Sequence, residues 1–317
     1  MTNGQDTPAS AVVDVLVPTW RRPAALAVTL AGLAAQSYRA FRIVISDQTE
    51  TPPLPSESPE VEAVVRVLKA TGRPVERHRH LPRRGMAEQR AFLLEHAAAR
   101  YALFLDDDVL IEPDLLERLV RAISCAGCGF VGAAVVGLSY RDDVRPAEQA
   151  IEFWETPVVP EVVRPGTAPW DRHRLHNAAN LQHLRDRLAL SGDRLYRVAW
   201  VGGCVLYDVA KLRSVGGFGF WRDLPADHAG EDVLAQLRVM ARYGGAGLFP
   251  SGAYHLELPT TIDDRRVDAP HVLAATAKRA EVRARGRGGL AGGTPRRRAF
   301  GTPRPRRRRR SGHPRPG

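Results

Sequence analysis

Residues 100–115, RYALFLDDDVLIEPDL, contain the main signal for the predicted fold. The stretch contains a short apolar run, YALFL at 101–105, which ends at three consecutive carboxylates, Asp106, Asp107 and Asp108. Apolar runs of this length predict a buried strand of a parallel sheet. Ligands of open α/β sheets bind just beyond the carboxyl ends of such strands. The sequence therefore predicts a polar site at residues 106–108.

Two interpretations of the aspartate triplet are open at this point. Three adjacent like charges repel one another, and a hard divalent cation such as Mg²⁺ or Mn²⁺ would offset them through oxygen ligands. Alternatively, the triplet is an acidic loop before a helix, with Pro113 near the first turn and Asp114 near the N-terminus. The surrounding sequence is needed to distinguish a metal site from an acidic loop.

Composition and charge describe a globular body followed by a basic tail. The 317 residues suffice for one large α/β domain or two small ones, and the formal net charge is +11. Residues 278–317 contain 15 Lys and Arg against one Glu, a balance of +14, so residues 1–277 carry −3. We predict a disordered N-terminus at 1–10, a folded domain at 11–275 with halves 11–138 and 139–275, and a disordered Arg/Pro/Gly-rich tail at 286–317.

The predicted compartment is the cytoplasm. Three cysteines cannot form a disulfide framework, and the lone Cys125–Cys128 pair is weak evidence for zinc. The N-terminus lacks the pattern of a signal peptide, and no apolar run approaches the about 18 residues of a membrane span.

Strand and helix patterns alternate along the first half. Strands are predicted at 12–17, 41–46, 74–80, 101–105 and 129–137, and helices at 23–36, 59–70, 85–100 and 112–124. This alternation predicts βαβ units and a parallel sheet. Residues 139–195 are an irregular insertion with one helix at 177–190. A strand at 198–207, a helix at 231–243 and a strand at 246–255 complete the prediction.

Polar groups stand at the predicted strand ends, where the sheet would bring them to one edge. They are Pro18-Thr19, Asp47, the triplet and His255, together with Gly230-Glu231-Asp232 at a helix start. The Gly-x-Gly-x-x-Gly fingerprint and the P-loop are both absent, which argues against a dinucleotide or P-loop site.

Segments of the chain, taken in their order along the sequence, resemble those of the family 2 glycosyltransferases, which have the GT-A fold. The resemblance rests on VVDVLVPTWRRP, IVISDQT, RGMAEQRAFLLEHA, YALFLDDDV, VGGCVLYDVAKLRSVGGF, GEDVLAQLRVMARYGG and AYHLELP. It implies an α/β fold of the nucleotide-diphospho-sugar transferase type, with a mostly parallel central sheet flanked by helices. It also implies transfer of a sugar from a nucleoside-diphosphate sugar to an acceptor hydroxyl, with inversion and with a divalent cation, Mn²⁺ or Mg²⁺.

The resemblance assigns roles to individual residues. Asp106 and Asp108 match the ends of the DxD motif and, with His255, would hold the metal. Donor binding is expected from Pro18, Thr19, Arg22, Asp47, Gly85, Arg90, Asp106 and Asp107. Asp232 matches the catalytic base of the ED motif and Glu231 its neighbour; the sugar and acceptor subsite would include Trp200, Gly202, Gly203, Gly217 and Phe218. Arg21 in place of the commoner Asn, and Gln89 and Ala91, depart from the family patterns.

Several of these assignments have a structural alternative. Glu231 and Asp232 are favourable charges at a helix N-terminus, Asp47 could form a turn, and His255 could be hydrogen-bonded at a strand end. The basic tail could bind an anionic membrane surface peripherally, bind nucleic acid without specificity, or have no selected role.

The expected partners are a UDP-, GDP- or dTDP-linked sugar and a saccharide, lipid-linked glycan or natural-product acceptor, with no specific nucleic acid. The alternative functions are a nucleotidyltransferase on a similar sheet and a nucleic-acid-binding protein that acts through its tail.

Overall fold

The computed structural model describes residues 12–155, 157–188, 190–260 and 265–273. The predictions of disorder for 1–10 and 286–317 lie outside the described residues. Within the described ranges the chain forms one mixed sheet of eight strands, a two-stranded sheet beside it, and helices on both faces.

The eight-stranded sheet is built mainly from parallel pairs. Its strands are β1 (Val13–Thr19), β2 (Phe41–Asp47), β3 (Val75–Arg79), β4 (Tyr101–Leu105), β6 (Phe130–Gly132), β7 (Arg194–Tyr196), β8 (Cys204–Asp208) and β9 (Gly245–Phe249). Their order is β3-β2-β1-β4-β8-β6-β9-β7, and β8 and β7 run antiparallel to their neighbours. The small sheet pairs β5 (Val109–Ile111) with β10 (Ala253–His255) in antiparallel register.

The central strands are buried on both faces, as their continuous apolar sequences predicted. All seven residues of β1 and all five of β4 are buried. Each fully buried Leu, Val or Phe contributes about 1.5–3 kcal/mol. This burial fixes the ends of β1 and β4, and with them the start of the aspartate triplet.

Helices divide between the two faces of the sheet. The seven helices within the described residues are α1 (Pro23–Ala34), α2 (Pro59–Ala70), α3 (Met86–Glu95), α4 (Leu115–Ala126), α5 (Asn180–Leu188), α6 (Val209–Ser214) and α7 (Glu231–Tyr243). The first two and α4 share one hydrophobic cluster with β1, and the other four belong to the cluster on the opposite face. The result is a three-layer α/β arrangement.

The structure differs from the predicted elements at several points. The predicted strand at 246–255 is two strands, β9 and β10, in different sheets, because Pro250 and Gly252 (φ +73°) interrupt the extended chain. The predicted strand at 129–137 is limited to β6, and the predicted helix at 85–100 ends at Glu95. Strands β5 and β7 were not predicted, since three residues show too little alternation.

The insertion is mostly irregular, as its composition suggested. Short 3₁₀ segments at Leu138–Tyr140, Pro146–Glu148 and Ala168–His176 precede α5 and β7. No helix among the described residues is both long and apolar enough to cross a membrane.

Candidate active site

One cavity of about 680 Å³ collects most of the predicted site residues. It lies beyond the carboxyl ends of β1 and β4 and beside the N-terminus of α7. Predicted residues that line it are Pro18, Arg22, Arg90, Asp106, Asp107, Asp108, Trp200, Glu231, Asp232 and His255. The edge of the sheet therefore brings the aspartate triplet and the Glu231-Asp232 pair to one cavity.

Asp107 is a buried carboxyl of the triplet that is held by hydrogen bonds to both its side chain and its backbone. Thr19 donates a hydrogen bond from Oγ1 to its Oδ2 at 2.7 Å, and Thr29 Oγ1 donates to its backbone carbonyl at 2.9 Å. Burial raises the pKa of Asp107 to about 7; the Thr19 hydrogen bond lowers it, and the Asp108 charge raises it. Asp107 thus fixes the triplet to β1 and α1.

Arg22 supplies positive charge to the triplet. Its Nη1 lies 2.6 Å from Asp108 Oδ2 and 3.5 Å from Asp107 Oδ1, and its side chain is only 16% exposed. Arg22 Nη2 also donates to the carbonyl of Pro259. The repulsion that the sequence suggested is therefore partly offset by a guanidinium from the start of α1.

Arg90 joins the two acidic groups across the cavity wall. From α3, its Nη2 contacts Asp106 Oδ1 at 2.8 Å, and its Nε contacts Glu231 Oε1 at 3.0 Å. Burial lowers the pKa of Arg90, but the carboxylates of Asp106 and Glu231 more than reverse this, so the guanidinium stays charged. Removing it would leave two uncompensated carboxylates, one of them buried.

Asp232 lies in the first turn of α7 and lines the cavity, and one of its carboxylate oxygens accepts a hydrogen bond. Its Oδ1 accepts a hydrogen bond from the backbone N–H of Val233 at 2.8 Å. Burial and the adjacent Glu231 raise the pKa of Asp232 to about 7, against the lowering effect of Arg90. A carboxylate with this pKa can both hold and release a proton near neutral pH.

His255 ends β10 next to Asp108. Its Nε2 is 3.6 Å from Asp108 Oδ2, and its Nδ1 accepts a hydrogen bond from the backbone N–H of Glu257 at 2.8 Å. An Nδ1 that accepts leaves the proton of the neutral ring on Nε2. In this tautomer Nε2–H is the ring donor of His255, which lines the cavity; binding a metal through Nε2 would require the Glu257 contact to break.

The described residues include no group of three or more His, Cys, Asp or Glu side chains placed to hold a metal ion. Mg²⁺ is commonly bound by only one or two carboxylates, and substrate phosphates and water complete its six ligands. Asp106 and Asp108 both line the cavity and offer hard oxygen atoms. This donor set fits a cation that binds together with a diphosphate.

One aromatic ring, that of Trp200, lines the cavity and is packed against two others. The indole of Trp200 is stacked on His173 with ring centroids 4.9 Å apart, and Trp170 lies 4.6 Å away at an angle of 47°. His173 and Trp170 come from the insertion. The insertion therefore fixes the orientation of a predicted acceptor-site residue.

Several predicted residues lie away from the cavity lining. Asp47 is fully buried, and its carboxylate accepts from Thr49 N–H, Ser56 N–H and Ser56 Oγ at 2.8–3.0 Å. It organises the loop after β2, so contact with a nucleotide would require these bonds to be exchanged; its role in donor binding stays a prediction.

Gly203, Gly217 and Phe218 lie at packing positions. Gly203 (φ +76°) lies against Val135, whereas a Cβ added at Gly202 would meet no atom within 4 Å. Phe218 is 1% exposed and packs on Phe104, while Gly217 lines a separate cavity of about 200 Å³. Neither of the two lines the main cavity.

Part of the cavity wall was not predicted. Leu258, Thr260, Arg265 and Asp268 line it after the chain leaves β10. Backbone bonds from Ala229 N to Val267 O and from Ala269 N to Ala229 O fasten this segment beside α7. Only the tertiary path of the chain after β10 brings these residues here, so no local pattern could have found them.

Comparison with known proteins agrees with this architecture. The family described as Glycosyl transferase family 2 matches residues 14–184, more than half of the chain. This chain belongs to that family. The family and the GT-A fold predicted from the sequence are thereby confirmed.

Solved structures similar to this family member are distant in sequence. S. aureus TarS 1–349 in complex with UDP-GlcNAc aligns with a TM-score of 0.51 at 15% identity, over 79% of this chain and 60% of that one. The mannosyltransferase PcManGT from Pyrobaculum calidifontis, in complex with GDP-Man and Mn²⁺, gives 0.48 at 16%, over 80% and 59%. The chain thus spans about three fifths of their lengths. No curated protein matches it significantly.

Proposed function

We propose that this chain is a metal-dependent, inverting glycosyltransferase that moves a sugar from a nucleoside-diphosphate sugar to an acceptor hydroxyl. The observation that carries the proposal is that one cavity is lined both by Asp106, Asp107 and Asp108 and by Asp232. Direct displacement needs both kinds of group, since it requires stabilisation of the leaving group and a base that takes the acceptor proton. Membership of the family supports the reaction class.

The donor diphosphate would lie at the triplet. Asp106 and Asp108 would hold the divalent cation, whose chemistry is to stabilise the negative charge that develops on the departing diphosphate. His255 Nε2–H and the Arg22 guanidinium would donate hydrogen bonds to phosphate oxygens, because both side chains line the cavity beside Asp108. Thr19 and Asp107 would keep the triplet in place.

The acceptor would enter along the side formed by Trp200 and the N-terminus of α7. As the acceptor oxygen bonds to the anomeric carbon, its proton passes to Asp232, and the bond to the diphosphate oxygen breaks. A base with a pKa near 7 is about half ionised at neutral pH and is basic enough to take this proton. Glu231 is held by Arg90 and would position Asp232 rather than exchange protons.

The test is a binding panel followed by a turnover assay. UDP-glucose, UDP-GlcNAc, GDP-mannose and dTDP-glucose, with the corresponding nucleoside diphosphates and triphosphates, are titrated with and without Mn²⁺, and protein melting is recorded. We expect one nucleotide class to stabilise the protein, and only with metal. Asp108→Asn should abolish that stabilisation, while the matched control Asp114→Asn, an exposed carboxylate before α4, should not.

Turnover is then measured as nucleoside diphosphate released from the donor that binds. Release of nucleoside diphosphate with loss of the sugar supports the proposal. Stabilisation only by nucleoside triphosphates, with pyrophosphate as the product, would instead indicate a nucleotidyltransferase.

A further inference from the structure

A histidine that the sequence did not single out connects the loop before α7 to the start of α3. His228 is 2% exposed and uses both ring nitrogens. Its Nδ1 donates to the carbonyl of Pro225 at 2.8 Å, and its Nε2 accepts from the backbone N–H of Ala87 at 3.1 Å. Because a carbonyl only accepts and an amide N–H only donates, these two contacts define one neutral tautomer.

The contact satisfies a helix end that has no cap of its own. The first N–H groups of a helix have no intrahelical partner, and α3 begins after Gly85, which carries no side chain. The imidazole of His228, 141 residues away in sequence, accepts a hydrogen bond from one of these groups, the N–H of Ala87. A distant loop therefore caps the helix.

Gly85 allows the loop to come this close. Its φ is +98°, and a Cβ added there would lie 2.4 Å from the carbonyl oxygen of Ala226 and 2.6 Å from the ring of His228. Donor binding was predicted for Gly85, but its surroundings are those of a packing position between α3 and this loop.

A second contact runs parallel to the first, one helical turn further along. Arg90 follows Ala87 by three residues on α3, and Glu231 follows His228 by three residues. Arg90 Nε lies 3.0 Å from Glu231 Oε1. Residues three apart lie on the same face of a helix. The same Arg90 also contacts Asp106. Helix α3 thus links the triplet to the segment that carries Asp232.

We infer that His228 is a positioning residue: through its hydrogen bond to Ala87 N–H it sets where Asp232 stands relative to the donor held at the triplet. This inference rests on the proposed function. His228 does not line the cavity, so it acts through the loop and not on substrate. A misplacement of about 1 Å in a reacting group can lower a rate by about 100-fold.

Two variants that differ by one methylene test the inference. His228→Asn keeps a donor near Nδ1, able to reach Pro225 O, but is too short to reach Ala87. His228→Gln extends an amide oxygen to the position of Nε2 and can accept from Ala87 N–H. We expect His228→Asn to lower kcat for donor turnover by about 10- to 100-fold, with donor affinity in Mn²⁺ unchanged. His228→Gln should stay within about threefold of wild type.

The assay is hydrolysis of the sugar nucleotide that wild type binds in the panel above, since water needs no identified acceptor. His96→Leu is the matched control, because His96 lies at the other end of α3 and its Nδ1 bonds only the local carbonyl of Phe92. Equal kcat in wild type and His228→Asn overturns the inference, as does equal impairment of the Asn and Gln variants.

Two further results separate the possible failures. If His228→Asn does not fold, Gly85→Ala takes its place, because it displaces the same loop from the helix side; unchanged kcat there also overturns the inference. If wild type itself turns over no sugar nucleotide, the proposed function has failed, and this result is distinct from every outcome for His228.

Discussion

Replacing Asp232 by Asn should stabilise the folded protein at about pH 8. Burial and Glu231 raise the pKa of Asp232 from the ordinary 3.8 to about 7. A carboxyl with a raised folded-state pKa binds its proton more tightly when folded, so the free energy of unfolding falls as pH rises from about 4 to about 7. At about 1.4 kcal/mol per pH unit, this destabilisation reaches at most about 4 kcal/mol above pH 7.

Asn removes the charge and keeps the rest of the contacts. Its amide oxygen can still accept from Val233 N–H, which Asp232 Oδ1 does at 2.8 Å. The variant should therefore match wild type in free energy of unfolding at about pH 4 and exceed it increasingly up to about pH 8. Urea unfolding of the metal-free, nucleotide-free protein at several pH values measures the difference.

The same substitution should remove most of the activity. The wild-type rate should rise as pH increases through about 7, where Asp232 loses its proton, and the variant should be slower by about 10²–10⁴-fold in kcat and kcat/KM together. Asp227→Asn, an exposed carboxylate in the same loop, is the control and should change neither property. A stability difference that does not vary with pH would contradict the raised pKa of Asp232, and near wild-type turnover would contradict its role as the base.

Three other variants test separate parts of the site. Asp108→Ala should lose most of the Mn²⁺-dependent stabilisation by nucleoside diphosphate and remain folded, since removing one of three like charges relieves repulsion; equal melting shifts in both proteins would contradict the metal assignment. Arg90→Leu leaves Asp106 and Glu231 without their shared cation and should cost about 3–5 kcal/mol in urea unfolding; a loss below about 1 kcal/mol would contradict this. Deleting residues 286–317 should leave melting temperature and donor binding unchanged, because the segment has few apolar groups to bury; a large fall in melting temperature would contradict it.

Local sequence patterns predicted the central strands and the ends where the aspartates lie. The run at 101–105 is β4 to the residue, because a buried strand needs uninterrupted apolar side chains. Helix α7 likewise begins at Glu231 and ends at Tyr243, where Gly244 follows, as predicted. Such features depend on neighbours in sequence, and they suffice to place the triplet and Asp232.

Contacts between distant segments were beyond local patterns. The carboxylate of Asp47 turns inward because Ser56, nine residues on, returns to donate two hydrogen bonds to it. The contact between His228 and Ala87 joins residues 141 positions apart. Asp268 lines the cavity only because the chain crosses to Ala229 after β10. These placements depend on the tertiary path of the chain.

The strand order has a consequence for the construction of chimeric enzymes. Strand β6, from the first half of the chain, lies between β8 and β9 from the second half, and β8 also pairs with β4. A recombinant that exchanged everything after residue 138 would have to re-form all of these hydrogen-bonded ladders with foreign partners. The described residues of segment 139–193 form no strand of this sheet, yet they supply the rings packed on Trp200. A graft of that segment alone would change the surroundings of Trp200 and leave the ladders of the sheet intact.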